Sequence, residues 1–158
     1  MNERNLEVFV DGASRYFGTV TDTEAQVGTP FLIQDVNKYL LDYTGIIGIS
    51  GNHKGSVFFS APNSLLTKLI AQIGIITTQE EKLMDLVGEV SNTISGNARR
   101  EFGDQFMLTV PIVLKGKSES VRVSDVVDIY VIPIHWRNTN ANLIINFCLL
   151  YTSPSPRD

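Results

Sequence analysis

Between Asn5 and Val20 the residues Leu6, Phe9, Val10, Ala13, Tyr16, Phe17 and Val20 recur at intervals of three and four. That spacing lines one stripe of an α-helix and predicts an amphipathic one, which Gly12 weakens slightly. The stretch Thr21 to Asn37 is polar and loosely patterned around Gly28-Thr29-Pro30, and predicts one short strand or connector. Tyr39 to Ser50 and Ser56 to Ser60 are β-rich and flank Gly51-Asn52-His53-Lys54-Gly55, the pattern of a hairpin. Pro62 stands where a first helical residue would, and Leu65, Leu66, Leu69, Ile70 and Ile73 outline a second helix stopping near Gly74.

A third, longer helix starts at Thr78, where Thr78-Gln79-Glu80-Glu81 has the form of a capping box. It runs to about Phe102 and stops at Gly103. Three β-rich runs follow, Gln105 to Leu114, Val126 to Trp136 and Asn142 to Phe147, with polar turns at Lys115 to Ser120 and Arg137 to Asn142. Helix, hairpin, two helices and three strands predict a single α+β domain, with helices packed on one antiparallel sheet.

Composition narrows the function classes. The 158 residues are 43% hydrophobic and 19% charged, which suits one folded domain rather than a disordered chain. Thirteen basic against seventeen acidic side chains leave a net charge of −4, which argues against a nucleic-acid partner or an anionic membrane surface. No apolar run is long enough to cross a bilayer, and Met1 to Phe9 has no signal-peptide pattern. A cytoplasmic location is the expectation.

The last eleven residues, CLLYTSPSPRD, resemble the in-frame translation of a transposase-based sequencing adapter. On that reading the domain is 1–147, residues 148–158 are a non-native tail, and the native chain continues differently beyond Phe147. The single cysteine, Cys148, falls in this tail, and Arg157 and Asp158 cancel, so the charge argument stands.

Chemistry concentrates in Leu83 to Ala98. At about 100° per residue, Leu83, Leu86, Val87, Val90, Ile94 and Ala98 share a broad apolar arc. Asp85, Glu89, Asn92 and Gly96 fall within roughly 60° of each other on the opposite side. A carboxylate and a carboxamide therefore point outward side by side. Gly88 and Gly96 each cost the helix about 1 kcal/mol relative to Ala, a loss that close approach of another backbone would explain.

The spacing Asp85-x-x-x-Glu89-x-x-Asn92 followed by Ser95-Gly96 resembles the signature of the chemotaxis phosphatases CheC, CheX and FliY. The order of elements is similar too: GIIGISGNHKGSVFFS, a helix, the motif helix, then a strand leading to Pro111. The resemblance covers Tyr39 to Phe147. Only Glu89 is followed by Asn at the third position, and one motif per chain is similar to CheX, whose family members are homodimers through extended sheet pairing. The resemblance implies hydrolysis of the aspartyl phosphate on a CheY-like receiver domain. It assigns Asn92 to orienting the attacking water and Glu89 to pairing with the receiver's lysine. Asp85, Gly88, Ser95 and Gly96 are the expected partner-binding residues. No metal is expected on this chain, and the Mg2+ would sit on the receiver. The alternative is a CheX-like module that binds a receiver without hydrolysing its phosphate.

Other signals carry less. Gly48 to Ser56 lacks the order of a phosphate-binding loop, because Lys54 precedes Gly55 and the segment lies between two strands. His53 and His135 are too few and too far apart for a structural zinc site. His135-Trp136 is read as packing or surface, and Glu119 with Arg122 as a solvated pair. No serine has the context of a hydrolase elbow.

Overall fold

The apolar stripes and alternating runs condense around one sheet. In the computed structural model, residues 3–117 and 128–149 are described; Glu119, Arg122 and most of the C-terminal tail lie outside them. The first stripe forms α1 (Glu3–Val20), burying Leu6, Phe9, Ala13, Tyr16 and Phe17. The polar stretch after it holds two short strands where one was expected, β1 (Gln26–Val27) and β2 (Phe31–Ile33), then a single 3-10 turn at Val36–Tyr39. Both strands pair with one later strand.

The hairpin is β3 (Tyr43–Gly51) and β4 (His53–Ala61), paired from Tyr43↔Ala61 to Ile49↔Gly55. Pairing within the hairpin ends at Ile49↔Gly55, so its connection is five residues long, as expected, and the strand ends beyond that pair are held by other strands. The second helix, α2 (Asn63–Gln72), starts one residue later than expected. Pro62 is its N-cap, in extended conformation, and its carbonyl accepts from the N–H groups of Leu65 and Leu66. The third helix, α3 (Glu80–Phe102), begins after Gln79 without a side-chain cap, so the capping box does not form. The Thr77 hydroxyl instead accepts from the Gln79 N–H at 3.0 Å. At the other end Gly103 caps the helix at φ 93°, in the left-handed region that favours glycine.

The expected strand Gln105 to Leu114 is broken into β5 (Phe106–Leu108) and β6 (Ile112–Lys115), both paired with β3. Pro111 has no N–H to offer a ladder. Thr109 fills the gap, its hydroxyl accepting from the Gly48 N–H at 2.8 Å and its own N–H donating to the Gly48 carbonyl at 3.0 Å. The last hairpin is β7 (Ile129–Trp136) and β8 (Thr139–Leu149), joined at Arg137 and Asn138 with φ of 48° and 61°. Two consecutive positive φ values suit the twist of a two-residue hairpin, so this turn is shorter than the polar run Arg137 to Asn142 suggested. Strand β8 carries its backbone pairing through Cys148 and Leu149, opposite Lys54 and His53.

The sheet is antiparallel, in the order β1-β7-β8-β4-β3-β5, with β2 also on β7 and β6 also on β3. Strand β7 is interior and flanked on both sides. All three helices cover one face, where Phe17, Phe59, Leu65, Val87, Ile94 and Trp136 are among the buried residues. The 3-10 turn covers part of the other face, over Phe58, Ile129, Val131 and Ile144. Trp136 is buried and its indole N–H donates to the Thr23 carbonyl at 2.9 Å. Arg137 pairs with Asp22 at 2.6 Å, tying the end of α1 to the last hairpin.

Candidate functional site

Helix α3 lies against β3 because the strand makes room for it. A Cβ on Gly45 would stand 2.7 Å from the Val87 carbonyl oxygen and 3.1 Å from the Gly88 Cα. With hydrogen there instead, the Ser91 hydroxyl reaches the Gly45 carbonyl and donates to it at 3.0 Å. This seat fixes the rotation of the helix. Leu83, Leu86, Val87, Val90, Ile94 and Ala98 are buried, as their stripe predicts. Asp85, Glu89 and Asn92 are exposed, and Gly96 is half-buried beside them. The Glu89 and Asn92 side chains make no hydrogen bond or ion pair among the described residues, so their polar atoms face outward.

Two residues expected to meet a partner lie elsewhere. Gly88 is buried, and a Cβ there would come within 3.1 Å of Val113 Cγ2 on β6. Its close neighbours are this chain's own β3 and β6. Ser95 is 0% exposed and its hydroxyl has no hydrogen-bond partner among the described residues. Both belong to the inner side of the helix, because 3.6 residues per turn carries positions 88 and 95 past the outward arc. Gly96 is different: nothing lies within 4 Å of where its Cβ would be. Space above it is open.

That space continues into a groove of about 590 Å³ between α3 and the β5 edge, which Asn92, Gly96, Arg99, Arg100, Met107 and Leu108 help to line. The Arg99 Nε donates to the Phe106 carbonyl at 3.0 Å, holding β5 to the helix. Neither arginine forms an ion pair among the described residues. These two were missed from sequence although the signal was present, since seven and eight positions beyond Asn92 return to the same side of a helix. Thr93 was missed as well; its hydroxyl donates to the Glu89 carbonyl at 2.9 Å.

Electrostatics reach the site from α1. Burial pushes the Tyr16 hydroxyl above its ordinary range, and the negative charge of Glu89 adds to that rise. At the far end of α3, His53 from the hairpin tip sits 5.3 Å from the rings of both Phe102 and Phe106, and its burial lowers its pKa. His135 is exposed, with Nδ1 2.8 Å from Asn140 Oδ1. Among the described residues no cluster of His, Cys, Asp or Glu is grouped to hold a metal ion, and no helix is long and apolar enough to cross a membrane.

A single α+β domain with three helices on one antiparallel sheet has the architecture of CheC-like proteins. The chain belongs to the CheX chemotaxis phosphatase family: the family model "Chemotaxis phosphatase CheX" matches residues 43–135. Solved structures carry the likeness beyond that span. A CheC-like superfamily protein from Shewanella sp. PV-4 superposes with TM-score 0.82 at 27% identity, covering 94% of this chain and 99% of that one. The chemotaxis protein CheX from Vibrio vulnificus gives 0.79 at 24% identity, covering 92% and 99%. The CheX in a CheX–CheY–BeF3–Mg2+ complex from Borrelia burgdorferi gives 0.72 at 17% identity, covering 90% and 96%. Among curated protein sequences, none matches significantly.

Proposed function

We propose that this chain is a protein-aspartyl-phosphate phosphatase acting on a CheY-like receiver domain. The observation that carries the reading is the shared exposure of Glu89 and Asn92, one turn apart on α3, with no side-chain hydrogen bond or ion pair among the described residues. In a receiver whose phosphoryl oxygens are neutralised by Mg2+, the remaining barrier is largely the placement of water in line with the leaving carboxylate. The Asn92 side-chain oxygen accepts a hydrogen bond from that water and aims it at phosphorus. The water oxygen bonds to phosphorus and its proton passes to solvent or phosphate. The P–O bond to the aspartyl group breaks, and its electron pair stays on the carboxylate. An amide does this without titrating near neutral pH. Glu89 pairs with the receiver's lysine and sets the docking register, which also spares the carboxylate an unpaired approach to phosphate.

The metal belongs to the receiver in this scheme, and the CheX complexed with CheY, BeF3 and Mg2+ supports that division. Asp85, a turn before Glu89, meets the receiver at the rim, and open Gly96 lets its backbone come close. Assembly as a homodimer by strand pairing is part of the proposal. Among the described residues the sheet ends in β1 and β2 on one side and β5 and β6 on the other. Pairing through the β1 and β2 edge leaves the groove beside Asn92 open.

The test is the decay of phosphorylated CheY-like receivers in excess Mg2+ with the full chain and with Asn92→Ala. Faster decay with the wild type, lost in the variant that still binds, is the expected result. Binding by both without any change in decay would establish the non-catalytic module instead.

A further inference from the structure

From the groove beside Asn92 we infer that Arg99 and Arg100 form a cationic docking element that selects receivers carrying an acidic surface next to the phosphorylation site. The inference rests on the phosphatase reading and names what the partner must offer. Its ground is the groove itself, which Asn92, Gly96, Arg99 and Arg100 line together, with open space above Gly96. The same groove is lined by one carboxylate, Asp104, and by Met107, which is 53% exposed. Two arginines without ion-pair partners among the described residues thus concentrate positive charge in a protein of net charge −4.

Receiver chemistry supplies the complement. A Mg2+ held beside an aspartyl phosphate is bound by carboxylates and phosphate oxygens, so the surface around it is acidic. Distance decides how the arginines act. Arg100 lies eight residues from Asn92, about 12 Å along the helix axis. That exceeds the Debye length of about 8 Å at physiological salt, so Arg100 does little for the reacting phosphoryl group across solvent. Its action is direct contact with an acidic side chain on the docked receiver. It therefore governs binding, while Asn92 governs the chemical step. Met107 gives the same contact an adaptable apolar floor.

The experiment compares the full-length wild type with Arg100→Glu, Arg100→Lys and Asn92→Ala. Arg100 is exposed and holds no described hydrogen bond, so its variants test the surface without the structural role that Arg99 has toward Phe106. The probe is a panel of CheY receivers loaded with BeF3 and Mg2+, including that of Borrelia burgdorferi, titrated at low and at raised ionic strength. Arg100→Glu is expected to weaken binding at least tenfold at low salt and to flatten the salt dependence. Arg100→Lys should stay within threefold of wild type. In the decay assay Arg100→Glu should raise KM, with the rate at saturating receiver near that of wild type. Arg100→Glu binding within twofold of wild type, with an unaltered salt dependence, would overturn the inference and leave the phosphatase reading intact. Weakened binding by Arg100→Glu together with undiminished decay in Asn92→Ala would sink the catalytic reading and uphold the docking element. A wild-type chain that binds no receiver in the panel overturns both.

Discussion

Ser91 donates a hydrogen bond to the carbonyl of Gly45 at 3.0 Å, across a helix–strand contact that only a residue without a side chain permits. This contact holds α3 so that Glu89 and Asn92 face outward. In Gly45→Ala the added methyl meets backbone atoms of α3, which cannot swing aside as a flexible side chain would. Overpacking of this kind costs about 1–3 kcal/mol, and it should also move the helix enough to slow receiver dephosphorylation. Ser91→Ala removes only the hydrogen bond and should cost about 1 kcal/mol. Urea unfolding of the two variants checks the order.

Gly96 should show stability and function moving in opposite directions. Alanine there meets nothing in the free protein and gains about 1 kcal/mol of helix propensity. The same methyl would stand in the groove where the receiver docks. Gly96→Ala is therefore expected to raise the urea midpoint and to slow phosphoreceiver decay. A variant that is more stable and equally active would remove Gly96 from the docking surface.

Tyr16 reports the charge state of the site. Its hydroxyl is held neutral first by burial and second by Glu89. Glu89→Gln removes the second cause and leaves the first. The Tyr16 pKa should fall in that variant while staying above the ordinary tyrosine value of 10.0. Ring-carbon NMR of labelled tyrosine during an alkaline titration reads this directly.

His53 ties the hairpin tip to the end of α3, and its pKa is lowered by burial. Well above pH 6.5 the ring is neutral in both folded and unfolded chains and contributes no pH dependence. As pH falls below 6.5, the unfolded chain takes up a proton that the folded one resists, so stability is lost. His53→Phe should flatten the unfolding free energy between about pH 7 and pH 5 relative to wild type, because phenylalanine cannot titrate. Parallel curves for the two proteins would show that His53 is not responsible for the acid side of the profile.

Periodicity alone determined the larger elements of this protein. The stripes of α1 and α3, the hairpin of β3 and β4, and the outward arc of Asp85, Glu89, Asn92 and Gly96 were all legible, because burial of one face imposes a repeat on the sequence. The helix stop at Gly103 was legible for a related reason, since a left-handed residue there favours glycine. Competition between neighbouring groups was not legible. The helix began after Gln79 rather than at Thr78, with Thr77 accepting from the Gln79 N–H, and Thr109 with Pro111 divided one expected strand into two. Only the tertiary structure separated Gly88 from Gly96. Both weaken the helix equally on paper, yet one is filled by Val113 and the other faces open space. It likewise brought Arg99 and Arg100 to the β5 edge and Tyr16 within the electrostatic reach of Glu89, placements set by how helices pack on a sheet. A helical repeat records which face is buried; what stands opposite each residue depends on partners distant in sequence.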